Sequence, residues 1–187
     1  MSFLKCLFFI CITFVMANQT HAENKAPTES MPMPAKELEA FMKGFVGTWK
    51  CQTTFPAGAF GPGSSEVKTK AVVTMKKELN GFFYQGEYKA AKAKGMPAAF
   101  HGMFYLGYDQ GSKQIINVSV DDTGSASMAA GPITANSATW SGEAYMMGSK
   151  VKVREVMTLK GPKEAYHKFE VDMGQGFQTM GEDTCQK

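Results

Sequence analysis

Two periods of apolar residues divide the chain, and the first is helical. Within residues 35–45 four apolar side chains recur at i, i+3, i+4 and i+7: Leu38, Phe41, Met42 and Phe45. This spacing places them on one face of an α-helix. We therefore predict a single short amphipathic helix over residues 35–45, ended by Gly44 or Gly47 and lying as a lid against the rest of the domain.

From Val46 onward the apolar period is two, which is typical of strands. Apolar and small residues alternate with charged ones along residues 66–76 and again along residues 150–160. Strands with one solvent-exposed face and one buried face are typical of an antiparallel sheet. The strongest turn signal is Asn80-Gly81, because both central residues of a type I′ hairpin need positive φ. Further turn signals occupy residues 109–111, 122–124, 131–132, 147–149, 161–162 and 174–176.

Many strands in succession leave exposed edges unless the sheet closes on itself, so we predict an all-β, antiparallel up-and-down barrel of about 8–10 strands. Two cysteines bear on this closure. Cys51 lies in the predicted first strand, 47–55, and Cys185 in the last, 177–185. In such a barrel these strands are neighbours, which would bring the two thiols within bonding distance. We predict a disulfide, with two unpaired thiols as the alternative.

The first 22 residues have the layout of a secretory signal peptide, with Lys5, an apolar run over residues 7–15 and a small-residue exit ending at Ala22. The run is shorter than the roughly 20 apolar residues of a transmembrane helix. Residues 23–34 carry three prolines and predict a flexible linker. We expect cleavage after Ala22, a single domain over residues 35–187, and a periplasmic or secreted location.

Composition narrows the function. The chain has 187 residues and a formal charge of +3, and without the signal the charge balance excludes a nucleic-acid binder and a polybasic membrane anchor. Two cysteines and two histidines, His101 and His167, would remain, too few for a Cys/His zinc cluster. There is no Gly-x-Ser-x-Gly elbow and no Gly-rich loop before a helix. We expect no metal and no resident cofactor. The sequence favours a protein without enzymatic activity, and an enzyme stays open as an alternative.

Several motifs carry a family resemblance. Gly47-Thr48-Trp49 resembles the Gly-x-Trp motif of lipocalin and calycin barrels. The wider ordered set comprises residues 45–51, 79–82, 107–109, 120–121, 150–154 and 181–185. This set is similar to exported bacterial proteins of the domain of unknown function numbered 1579. The resemblance implies a calycin-like barrel in a bacterial envelope or secreted setting, with Gly47 and Trp49 as structural residues, and it brings no catalytic residues.

In a lipocalin the tryptophan of this motif is often covered by an arginine from a late strand. Arg154 is the only arginine of the chain. If Val151 and Val153 face inward, strand alternation points Arg154 outward. We therefore expect a surface arginine, with a cation–π contact to Trp49 as the alternative.

Two ionisable residues share the predicted inner face. Glu155 lies between apolar inward positions, and because an unpaired buried carboxylate is costly, it belongs in a wet lumen, near a pole of the barrel or beyond a bulge. His167 shares a face with Phe169 on a late strand. Haem-binding barrels of the nitrobindin kind use a late-strand histidine as axial ligand. Haem ligation is therefore an alternative to a packed or surface position for His167. The case for haem at His101 is no stronger.

Aromatic residues are numerous enough to fill a barrel or to line a cavity for an apolar ligand, and glycines within the strands favour some open space. Copper binding through soft thioether ligands is an alternative for Met31, Met33 and Met146-Met147. Because dense Met repeats are absent, packing is the favoured role of these methionines.

We therefore predict an exported lipocalin-like barrel that binds a small hydrophobic or amphipathic ligand. The candidate ligand contacts are Tyr84, Phe104, Trp140, Glu155 and His167. The alternatives are a filled barrel acting as an envelope structural or interaction module, and a haem-binding or isomerase-like barrel. We expect no nucleic-acid partner and no membrane span, and the oligomeric state stays open.

Overall fold

The computed structural model of the protein describes residues 32–187. The predicted signal peptide, 1–22, and most of the predicted linker, 23–34, lie outside the described residues. The described part contains one α-helix and ten strands. The helix is α1 (Lys36–Met42), and the strands are β1 (Gly47–Phe55), β2 (Val67–Glu78), β3 (Phe83–Ala90), β4 (Phe100–Asp109), β5 (Gln114–Asp121), β6 (Ala126–Gly131), β7 (Ser137–Met146), β8 (Ser149–Gly161), β9 (Glu164–Asp172) and β10 (Phe177–Gln186).

The ten strands form one closed barrel in which each strand pairs antiparallel with its neighbours in sequence, and β1 pairs with β10. The predicted up-and-down barrel is confirmed, at the upper end of the expected strand number. No helix within residues 32–187 is long and apolar enough to cross a membrane.

Within the described residues, seven of the nine connections between consecutive strands fall at the predicted signals; those at 56–66 and 91–99 do not. At the β2–β3 connection Asn80 has φ 56° and Gly81 has φ 90°, as a turn with positive φ requires. The connection is a single 3₁₀ turn over Leu79–Gly81 rather than a two-residue hairpin.

The helix buries its predicted stripe, and Leu38, Phe41, Met42 and Phe45 are each at most 5% exposed. It ends at Met42, three residues before the predicted boundary. The reason is a tight turn in which the backbone N–H groups of Phe45 and Val46 both donate to the carbonyl of Met42, at 2.9 and 3.1 Å. α1 and this turn cover one end of the barrel with apolar side chains.

Trp49 anchors this closed end. Its indole N–H donates to the carbonyl of Phe45 at 2.7 Å, and the Lys187 ammonium lies 5.1 Å from its ring centroid. The preceding Gly47 has φ 120°, which only glycine adopts readily.

The alternative prediction, a contact between Arg154 and Trp49, is wrong. β8 alternates as expected, so Arg154 points outward. There the guanidinium donates to Glu170 at 2.6 Å and lies 4.3 Å from the ring centroid of Phe177.

The predicted disulfide is confirmed. Cys51 and Cys185 face each other directly across β1 and β10, with their Cα atoms 4.0 Å apart and a sulfur–sulfur distance of 2.01 Å. The bond joins the first and last strands of the barrel.

Candidate binding site in the barrel lumen

The inner face of the barrel is apolar beneath α1 and becomes polar at mid-barrel. Strand alternation points Glu155, His167 and Asp183 inward from β8, β9 and β10. Strand pairing sets His167 directly opposite Asp183. The three ionisable side chains therefore meet within the lumen.

His167 bridges the two carboxylates. Its Nδ1 lies 3.0 Å from Oδ2 of Asp183, and its Nε2 lies 3.1 Å from Oε2 of Glu155. Both ring nitrogens must donate, because a neutral imidazole would turn one lone pair toward a carboxylate oxygen. Burial alone would lower the pKa of His167, but the hydrogen bonds to Asp183 and Glu155 outweigh it and raise the pKa to about 10. The ring is therefore an imidazolium at neutral pH.

Neutral side chains extend this chain of hydrogen bonds at both ends. Asn117 of β5 donates its amide to Oε1 of Glu155 at 3.1 Å. At the other end Thr53 of β1 donates to Oδ1 of Asp183, and the Tyr88 hydroxyl of β3 lies 2.8 Å from the Thr53 hydroxyl. Burial and the charge of Asp183 raise the pKa of Tyr88. We call these six residues, Tyr88, Thr53, Asp183, His167, Glu155 and Asn117, the lumen network.

Within residues 32–187, two buried side-chain polar atoms have no hydrogen-bond partner: Oδ1 of Asn117 and Nε1 of Trp140. Asn117 is 2% exposed and Trp140 is 3% exposed. Asn117 already bonds Glu155 through its amide, and Trp140 is the cross-strand partner of Glu155. The unmet acceptor therefore belongs to a residue bonded to Glu155, and the unmet donor to its cross-strand neighbour. Each is costly to leave unpaired.

The lumen is not filled at this level. The side chain of His167 is 30% exposed and that of Glu155 is 12% exposed, although both point into a closed barrel. Phe104 and Phe169 also point inward and are only half-buried. α1 covers one end of the barrel, and we call the opposite end the open end.

The structure brings four of the five predicted contact residues into the lumen around or above the network. Glu155 and His167 are bonded to each other, and Trp140 lies beside Glu155. Phe104 faces inward from β4, where its ring lies across Gly86: a Cβ on that glycine would be 2.0 Å from the ring. Glu155 occupies the mid-barrel lumen, and the β8 register shifts only beyond it, between Leu159 and Gly161.

Tyr84 is the exception. It is 2% exposed and lies beside Lys77, whose ammonium bonds Glu39 of α1 at 2.8 Å. Burial raises its pKa. Tyr84 therefore belongs to the apolar core beneath the helix, away from the network.

The geometry does not suit the haem alternative. Both nitrogens of His167 face carboxylates, which leaves no lone pair for an axial iron ligand. His101 is on the outer face, 3.0 Å from Glu87. Within the described residues, no three His, Cys, Asp or Glu side chains are arranged to hold a metal ion.

The Met146-Met147 pair does not converge as a pair of thioether ligands. Met146 packs against the core, whereas Met147 is 84% exposed. Both border a cleft on the rim of the open end, between the β7–β8 and β9–β10 hairpins, together with Met173. Met31 lies outside the described residues, and Met33 is 75% exposed.

Sequence reasoning missed four members of the lumen network. Asp183 is 6% exposed, although it lies only four residues from the C-terminal Lys187, where charged side chains are usually solvated. A signal was present: Asp183 and Thr53 each stand two positions from a disulfide cysteine and therefore share the inner face. Asn117 and Tyr88 carry no comparable signal, because their partners lie on strands distant in sequence.

The fold and the lumen network together define a class: a closed, ten-stranded antiparallel barrel with a helix over one end and a polar interior. The chain belongs to the family described as "Protein of unknown function (DUF1579)", whose match covers residues 34–183. No curated protein matches the sequence.

Among solved structures, the chain is similar to the crystal structure of Rv2717c from M. tuberculosis, with a TM-score of 0.63 and 12% sequence identity. The similarity covers 83% of this chain and 99% of the other. At this identity the likeness shows the fold alone.

Proposed function

We propose that the protein binds a small amphipathic molecule in the lumen of the barrel. The observation that carries the proposal is the exposure of His167: 30% of an inward-pointing side chain is accessible at mid-barrel. A filled barrel would bury it, as Leu106 and Ile115 are buried in the same interior.

The lining favours a molecule with an apolar body and one polar end. The rings of Tyr88 and Phe100 meet edge to face at 5.7 Å between centroids, and Phe104 and Phe169 add half-buried aromatic surface. Such rings supply most of the favourable free energy for an apolar ligand, while a few polar groups orient it. The lumen network supplies those polar groups.

The proposal places this function outside the cell, in the periplasm or the secreted fraction. The Cys51–Cys185 disulfide supports this location, because structural disulfides persist in oxidising compartments. The predicted signal peptide over residues 1–22 is the second argument, and cleavage after Ala22 is tested by N-terminal sequencing of the exported protein.

Binding is tested with N-phenylnaphthylamine, an uncharged dye that fluoresces in apolar surroundings. The informative pair of variants lies on adjacent positions of β5. Ser119 faces inward near the open end and is half-buried, whereas Val118 faces outward and is 40% exposed. Ser119→Phe therefore fills the lumen, and Val118→Phe adds the same side chain to the outer surface.

We expect saturable dye binding by the wild type and by Val118→Phe, and a loss of about tenfold or more in affinity for Ser119→Phe, because steric exclusion removes the apolar contacts. Circular dichroism checks that both variants are folded. A wild type that does not bind the dye, or a folded Ser119→Phe that binds it as well as the wild type, contradicts lumen binding.

A further inference from the structure

The polar atoms around Glu155 restrict the chemistry of the ligand's polar end. We infer that the lumen selects an uncharged head group that both donates and accepts a hydrogen bond, a hydroxyl or a primary amide, and discriminates against a carboxylate. This inference rests on the proposed function and adds the ligand class to it.

Two unpartnered atoms set the hydrogen-bonding requirement. Oδ1 of Asn117 can only accept, and Nε1 of Trp140 can only donate. A head group that satisfies both must therefore offer one donor and one acceptor. Hydroxyl and primary amide groups do so, an ammonium offers only donors, and a carboxylate offers only acceptors.

The lumen network also carries a net charge. It holds two carboxylates, Glu155 and Asp183, against the single imidazolium of His167. Its formal charge is therefore negative, and among residues 32–187 no other cationic side chain bonds to it. A third carboxylate in this low-dielectric site meets like charge, which weakens its binding.

Glu155 is 12% exposed and His167 is 30% exposed, so a head group that reaches mid-barrel meets both the imidazolium and this carboxylate. Both ring N–H groups of His167 already donate to Asp183 and Glu155, which leaves no ring N–H for an entering carboxylate. The two unpartnered atoms are covered by neighbouring side chains. Contact with them therefore requires a small shift of those side chains on binding, of the kind that is common at ligand sites.

Four compounds with the same alkyl chain separate the possible head groups: decanol, decanamide, decylamine and decanoate. Isothermal titration calorimetry of the full-length mature protein at neutral pH and at concentrations below micelle formation measures each affinity directly. We expect decanol and decanamide to bind best, decylamine less well, and decanoate roughly tenfold or more below decanol. Decylamine controls for the general cost of bringing any charge into the lumen.

Two variants connect this order to the named residues. Glu155→Gln removes one negative charge, so the deficit of decanoate relative to decanol should shrink. Trp140→Phe removes the unpartnered donor and should weaken decanol and decanamide. His101→Ala, on the outer face, should leave the whole order unchanged.

Decanoate binding as tightly as decanol overturns the head-group inference and leaves lumen binding standing. An unchanged decanoate deficit in Glu155→Gln also overturns it. If none of the four compounds binds, the inference is wrong, and the dye assay then decides separately whether the lumen binds any apolar molecule.

Discussion

At the scale of single residues, His167 determines the character of the lumen. It stands between Glu155 and Asp183 and donates to both. Two inward carboxylates with no cation between them would repel each other at low dielectric, and the imidazolium converts that repulsion into two charge-assisted hydrogen bonds. The histidine therefore keeps two carboxylates paired inside the barrel.

Replacing this residue tests its role in stability. His167→Ala should lower the free energy of unfolding by about 3–5 kcal/mol, because two buried carboxylates lose their shared partner. Urea unfolding at neutral pH measures the change. The matched control is His101→Ala, whose imidazole pairs with Glu87 on the surface and should cost less than about 1 kcal/mol. Equal effects of the two substitutions would contradict the account of the lumen network.

The pH dependence of stability follows from the same residue. The pKa of His167 is raised from 6.5 to about 10 in the folded protein. Its contribution to stability is therefore complete below pH 6.5 and is lost as the pH rises through about 10. The titratable groups that face His167 in the lumen are Glu155, Asp183 and Tyr88.

We therefore expect the difference in unfolding free energy between wild type and His167→Gln to decrease steadily from neutral pH to pH 10. Urea titrations at several pH values measure it, and His101→Ala again serves as the surface control. A difference that stays constant over this range would mean that the ring is already neutral in the folded protein, because neither state would then release a proton from it.

A steric prediction concerns Gly86. A methyl group at this position would collide with the Phe104 ring, whereas nothing lies within 4 Å of a Cβ added at Gly161. Gly86→Ala should cost about 1–3 kcal/mol by overpacking and should weaken dye binding, because the displaced ring moves into the lumen. Gly161→Ala is the control, and thermal unfolding and dye titration of both variants provide the measurement. Unaltered stability and binding in Gly86→Ala would show that the ring does not occupy this position.

At the scale of elements, the strands were predictable because each period-two run buries one face and wets the other. The runs at 66–76 and 150–160 lie in β2 and β8 except for Glu66, and most of their apolar positions point inward, whereas Val72 is 42% exposed. The helix boundary was less predictable. Four apolar residues at helical spacing suggested that the helix extends to Phe45, but the turn onto Met42 buries Phe45 without helical geometry.

The candidate site was predictable only in part, for the same reason. Alternation along β8 was enough to point Glu155 inward and Arg154 outward. It could not identify Asn117 or Asp183 as partners, because contacts across a barrel join strands that are far apart in sequence. Tyr84 has the inward orientation that alternation predicts, yet α1 covers its end of the barrel, and no periodicity carries that information.

The disulfide is the element-scale feature with the largest expected effect on stability. It closes a loop between residues 134 positions apart, and in the chain-entropy model such a bond contributes about 5 kcal/mol through the unfolded state. The double variant Cys51→Ala/Cys185→Ala should therefore unfold at markedly lower urea concentration. The wild type in reducing agent should behave like the double variant, and a reduced wild type that keeps its oxidised stability would contradict this role.

At the scale of the whole molecule, the barrel has two unlike ends. One end is closed by the apolar packing of α1 and Trp49. The ammonium of Lys187 lies over the indole ring of Trp49 at the same end. At the other, half-buried inward side chains and the methionine-bordered cleft face solvent. In the proposed function the ligand enters at the open end, and the lumen network lies at the inner limit of its route.

The two tryptophans make the central claim directly measurable. The indole N–H of Trp49 is bonded to Phe45 at the closed end, whereas that of Trp140 has no partner beside Glu155. The measurement is a ¹H–¹⁵N spectrum of the indole groups during titration with decanol, with Trp140→Phe to assign the two signals. We predict that the Trp140 signal shifts saturably as its N–H gains an acceptor, while the Trp49 signal stays in place. A stationary Trp140 signal at saturating decanol, or equal movement of both signals, would contradict binding in the lumen.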